Sequence, residues 1–164
     1  MKKIVLGTLS LVFLAIAVVV SIVLISNAWQ ISRDIDGWKD RAQVSMEPND
    51  MADYMTNVKV GMEKWEMTSG NAAWLFPTPG SDMALIYKAV IQHIDTAKSL
   101  AELDRSSDAY ANGLDNLRGG IREIDLHDFQ YWANHQGGFA QFSFWVGWIA
   151  FIFFGLWWLF TNSY

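Results

Sequence analysis

The stretch "FSFWVGWIAFIFFGLWWLFTNSY", Phe142 to Tyr164, decides the fold. With the residues just before it, the chain runs from Phe139 to Phe160 without a charged side chain. At ~1.5 Å per residue, a helix of that length crosses the ~30 Å hydrocarbon layer of a bilayer. A second uncharged run, Ile4 to Ile25, is rich in Val, Ile and Leu. Lipid offers the backbone no hydrogen-bond partners, so each run must close its own bonds as a helix. The sequence therefore predicts an all-α membrane protein, with two transmembrane helices flanking an extramembrane antiparallel four-helix bundle. The first span covers residues 1–26, the helical domain 27–138 and the aromatic-rich second span 139–161, leaving a short tail over 162–164.

A cleavable secretory signal peptide also begins with a sequence such as "MKK" and an apolar run, and Ser26 and Ala28 stand at cleavage-compatible positions. The run is longer than the ~7–15 apolar residues of such a leader, which favours an uncleaved anchor.

Within 164 residues the spans leave room for one modest domain. All 17 acidic residues lie in that domain against 10 of the 12 basic ones, a net charge of −7. Such a surface repels phosphate and excludes nucleic acid as a partner. Lys2 and Lys3 precede the first span, and the excess of basic residues on cytoplasmic loops then places both termini in the cytoplasm. With its bacterial-type start, the chain is expected in a bacterial inner membrane with the acidic domain periplasmic. Arg33, Lys39 and Arg41 after the span reduce the asymmetry. The lack of cysteine fits an oxidising compartment.

Helical periodicity runs through the domain. Ile31, Ile35, Trp38 and Ala42 extend the first span as an amphipathic helix until Pro48, and Met51, Met55, Val58, Met62 and Trp65 form the seam of a second helix. A third is predicted from about Ser81 to Leu103, capped by Ser81 or Asp82, with Met83, Ile86, Val90, Ile94, Ala97 and Ala101 inward. The fourth begins near Ser106, carries Tyr110, Leu114, Leu117, Ile121 and Ile124 on one stripe, and continues towards His135. Gly119 and Gly120 inside it suggest a kink or a close backbone contact.

Small residues form a stripe in each span: Gly7, Ser10, Ala17 and Ser21 in the first, Ala140, Ser143, Gly147 and Ala150 in the second. Helices in lipid associate by close van der Waals packing, which small residues permit, so the two stripes predict helix pairing. Turning them inward leaves Trp145, Trp148, Phe151, Phe154 and Trp158 as an aromatic face for another protein, lipid, a quinone or a pigment. The loop "SGNAAWLFPTPGSD" carries Trp74, Leu75 and Phe76 before two prolines that hold the backbone extended. Its apolar tip either folds back over the bundle end or docks into a partner.

Catalytic chemistry is poorly represented. No cysteine or glycine-flanked serine nucleophile, phosphate-binding glycine loop or CxxC pair is present, so no catalytic residue or cofactor is assigned. In "REIDLHDFQYWANHQ", Glu123, His127 and Tyr131 would stack at steps of four on a continuous helix, with His135 two turns beyond His127. With His93 from another helix they are the weak candidates for a metal site, and a solvated polar face is the simpler account.

The order of span, helical domain and span resembles bacterial chemoreceptor sensor modules in topology. That resemblance implies a periplasmic small-ligand sensor or adaptor, but a receptor's second span feeds a signalling domain, and only "TNSY" follows Phe160. The leading expectation is therefore a non-enzymatic accessory subunit whose partners are other integral-membrane subunits. A metal-binding subunit of a membrane enzyme ranks third.

Overall fold

The computed structural model describes residues 2–162, and among them the fold is all-helical. In chain order the helices are α1 (Lys2–Asp34), α2 (Asp36–Val44), α3 (Pro48–Lys64), α4 (Met83–Ala101), α5 (Asp108–Glu123), α6 (Asp128–His135) and α7 (Gly138–Asn162), with a 3-10 turn at Pro79–Ser81 before α4. Helices α1 and α7 are long and apolar enough to cross a membrane. The chain divides into two compact units, one of Met1–Ala28 with His135–Tyr164 and one of Trp29–Asn134.

In the first unit α1 and α7 run antiparallel, and the contact is built on small residues. A side chain on Gly147 would meet the backbone of Ala17 at 3.2 Å, and Ala17 is fully buried. Ser10 is buried too, and its hydroxyl donates to the Phe151 carbonyl at 3.4 Å. Phe13 stacks on Phe154 with ring centroids 5.7 Å apart. Close approach of this kind is what holds helices together where no hydrophobic effect separates them from solvent.

In the second unit α2 packs on α3 and α5, and α4 packs on α3 and α5. The predicted seams are buried: Met51, Met55, Val58 and Met62 of α3, and Met83, Ile86, Val90, Ile94 and Ala97 of α4, with Leu100 rather than Ala101 ending the α4 stripe. Methionine dominates this core, with Met67 from the following loop added, and its unbranched side chain fills irregular gaps between helices. Asp82 caps α4 by accepting from the amides of Ala84 and Leu85, and Ser107 caps α5 by accepting from Tyr110.

Two expectations require correction. The helix carrying Ile31 and Ile35 does not continue unbroken: Ile35 leaves helical geometry at φ −124° between α1 and α2, and Pro48 starts α3 as its first residue. The expected fourth helix is interrupted as well, since α5 ends at Glu123 and α6 starts only at Asp128, with His127 held at φ 44°. Gly119 and Gly120 lie inside α5, and Gly120 faces His93, whose Nε2 would stand 2.5 Å from an added Cβ. Gly120 thus marks a close contact with the His93 ring, whereas Gly119 faces open space.

The tightest approach is at Gly61, where a Cβ would collide with the backbone carbonyl of Asp34 and lie 2.9 Å from Ile35 Cγ1. Backbone cannot yield as a side chain can, so Gly61→Ala is expected to destabilise the unit by about 1–3 kcal/mol. Gly119→Ala meets open space and is expected to stabilise by about 0.5–1 kcal/mol through helix propensity. Thermal unfolding of the two variants checks the pair; equal effects would refute the account of Gly61.

Candidate functional site

Asp34 closes the end of α1 against α3. Its carboxylate accepts from Lys64 Nζ at 2.5 Å and from Trp65 Nε1 at 3.3 Å, while Arg33 reaches it at 3.1 Å. Burial raises its pKa, but the hydrogen bonds from Lys64, Arg33 and Trp65 outweigh that and hold it below the ordinary carboxylate value. Helix α6 is tied to the same end of the unit: Tyr131 donates to the carbonyls of Glu66 and Ser69 at 3.1 and 2.8 Å, and Asn134 to that of Ala72 at 2.7 Å. At the opposite end Arg105 pairs with Glu47 and Arg118 donates to the Ser45 carbonyl.

The strongest electrostatic feature was not read from the sequence. Asp36, at the start of α2, interacts electrostatically with Asp128, at the start of α6. Burial pushes the Asp36 carboxyl up, and the Asp128 charge and hydrogen bond push it further, to about 7. Lys39 opposes the shift only in part, and its ammonium donates to the Ile124 carbonyl at 2.7 Å. Asp128 Oδ2 is buried without a donor, and a protonated Asp36 can donate to that carboxyl. Chemically the Asp36 carboxyl can hold and release a proton near neutrality. No pattern in the sequence signals it, because the two residues lie on separate helices whose facing surfaces only the fold defines.

The histidine constellation is not assembled. Glu123 ends α5, His127 sits in the left-handed region before α6 with Nδ1 3.6 Å from Asp125, and the Tyr131 hydroxyl is bonded to the loop after α3. The carbonyl of His127 accepts from the Tyr131 amide at 2.8 Å, so the residue flanks the first turn of α6. His93 Nδ1 is bonded to the Ala89 carbonyl within α4. Among the described residues no group of three His, Asp or Glu side chains could hold a metal ion.

Of the five residues expected to form the aromatic face of α7, Trp145 and Trp158 are exposed, whereas Trp148, Phe151 and Phe154 are partly buried. The outward stripe is Trp145, Ile149, Ile152, Phe153, Leu156 and Phe160. Among the small residues, Gly7 faces the Trp158 indole, Ala17 faces Gly147, and Ser21, Ala140, Ser143 and Ala150 are half-buried. A groove of about 440 Å³ beside Gly7 is lined by Ile4, Leu11, Gly155 and Trp158, with Thr8 and Ser10. Both hydroxyls are engaged, Thr8 with the Ile4 carbonyl and Ser10 with that of Phe151, so the groove suits a hydrocarbon chain better than a polar head group. A second groove of about 400 Å³ lies between α4 and the end of α5, lined by Leu85, Ile86 and Ala89 with Glu123, Asp125 and His127 at its polar side.

Trp74, Leu75 and Phe76 do not fold back over the bundle: they are 80%, 67% and 82% exposed. No protein family, curated protein or solved structure matches the chain.

A carboxyl with a raised pKa in the folded state destabilises that state as it ionises. Stability should therefore fall as pH rises from the ordinary 3.8 to about 7, and level off above. Asp36→Asn should remove that slope and unfold at higher temperature than the parent at pH 7.5. Asp34 has the opposite sign, its contribution being lost only as pH falls below the ordinary carboxylate range. Parallel unfolding profiles for parent and Asp36→Asn between pH 4.5 and 7.5 would contradict the raised carboxyl at Asp36.

Proposed function

We propose that the chain is a non-enzymatic accessory subunit of a larger integral-membrane complex. Its two apolar helices cross a bacterial inner membrane, with both termini cytoplasmic, and α2 to α5 form an antiparallel four-helix bundle in the periplasm. The observation that carries this reading is the division of α7 into two faces. One face, with Gly147 and Phe154, is used against α1, and the opposite one presents Trp145, Phe153 and Phe160 outward. Aliphatic side chains satisfy lipid equally well, whereas rigid aromatic surface is what protein partners bind most strongly.

A small-ligand sensor is the second reading. The groove between α4 and α5, with apolar walls and Glu123, Asp125 and His127 at its edge, supports it, as does the titratable pair of Asp36 and Asp128.

The subunit reading is tested by copurification from native membranes in mild detergent. Trp145→Ala with Phe153→Ala should release the chain from its companions while its own unfolding temperature is kept, each ring contributing ~2 kcal/mol or more if it fills a partner's pocket. Gly147→Leu should instead separate α1 from α7. A double variant that keeps every companion would mean that the rings face only lipid, and the docking face would be abandoned.

A further inference from the structure

The loop between α3 and α4 ends in an apolar tip on a pinned stem. The Ala72 amide donates to the Ser81 carbonyl at 2.8 Å and the Met83 amide to that of Gly70 at 2.9 Å. Asn71 Oδ1 accepts from both the Ala73 amide and the Ser81 hydroxyl at 2.8 Å, and the Thr78 amide donates to Ser81 Oγ at 3.0 Å. Below the tip, Met67 and Ala72 are buried in the unit. The stem is thus part of the fold while Trp74, Leu75 and Phe76 project from it, and holding three large apolar side chains in water demands a reason.

The position of the loop supplies one. Its base is bonded to α6 through Tyr131 and Asn134, and α3 leads into it from the Lys64 and Trp65 contacts with Asp34. Asp34 and Asn134 lie close to the two points where the chain leaves this unit for its long apolar helices. The tip therefore stands at the end of the unit from which the chain enters those helices. Trp29 is at this end as well, 63% exposed, with the Arg33 guanidinium 5.0 Å from its ring centre, a pairing suited to lipid head groups. No charged residue lies between Glu66 and Asp82, and Pro77 and Pro79 carry no backbone N–H to desolvate.

We infer that Trp74, Leu75 and Phe76 form an interfacial anchor that inserts into the head-group region of the same bilayer that α1 and α7 cross. The inference rests on the reading of those two helices as spans. Insertion of ~5–10 Å, the depth typical of interfacial apolar side chains, would bury the tip while the pinned stem stays in water. Because the stem is already held by hydrogen bonds in the free protein, its backbone loses little conformational freedom on insertion.

Because the chain has no cysteine, single labels can be placed without background. The full chain carrying Phe76→Cys, Val44→Cys or Ile149→Cys is labelled with an environment-sensitive fluorophore. It is then reconstituted in vesicles of phosphatidylcholine and phosphatidylglycerol and exposed to iodide or to lipids bearing a nitroxide near the head group or deep in the chain. The Phe76 label should shift to the blue, lose fluorescence to the shallow nitroxide more than to the deep one, and resist iodide. Val44, exposed at the opposite end of the unit, should be quenched by iodide alone. A Phe76 label quenched by iodide while Ile149 is quenched by lipid would overturn the anchor and leave the spans intact. A Phe76 label shielded from both quenchers would place the tip against protein and overturn it as well. Failure of lipid to quench Ile149 would remove the span reading itself, and the anchor with it.

Discussion

The second unit depends on the approach of Gly61 to the carbonyl of Asp34. At that point α1 stops, Ile35 leaves helical geometry and α2 begins. With only hydrogen at position 61, α3 comes close enough for Lys64 and Trp65 to close over the Asp34 carboxylate, and Ile31 and Ile35 are fully buried there. A larger residue would hold α3 away from the break, and the methionine seam behind it would lose its packing.

The two units are held by different physics, and each leaves a conspicuous remainder. The first relies on backbone proximity at Gly147 and Ala17 and commits only one face of α7, so the aromatic residues opposite remain available. The second is an ordinary hydrophobic core with a half-buried carboxyl pair, Asp36 and Asp128, at its margin where α2 and α6 begin. The raised Asp36 carboxyl costs stability as it ionises, and strongly shifted groups of this kind cluster at functional sites. The exposed Trp74, Leu75 and Phe76 are a third remainder, presented by a hydrogen-bonded stem.

Much of the architecture was legible because apolar spacing is a local property. The uncharged runs, the seam of Met51 to Met62 and the α4 stripe from Met83 to Ala97 were each read from steps of three and four, and the structure buries those seams. The breaks at Ile35 and at Ile124 to His127 were not legible, because each interrupts an apolar pattern that itself continues. In the second case the pattern suggested a stack of Glu123, His127 and Tyr131, and the left-handed backbone at His127 dissolves it. The carboxyl pair and the Gly61 contact were hidden for another reason: both depend on which helices meet, and single-helix periodicity carries no such information. Trp148, Phe151 and Phe154 show the same limit, since small-residue stripes indicate pairing but not how much of the neighbouring aromatic surface it covers.

The most direct test of the central claim, that α1 and α7 cross a bilayer with the helical domain on its outer side, is thiol labelling from each side of the membrane. Cells producing the full chain with Val44→Cys or Lys2→Cys are treated intact, and as sealed inverted vesicles, with a maleimide that cannot cross lipid. The account predicts that Val44→Cys reacts only in intact cells and Lys2→Cys only in inverted vesicles. Reaction of both positions from the same side would contradict it.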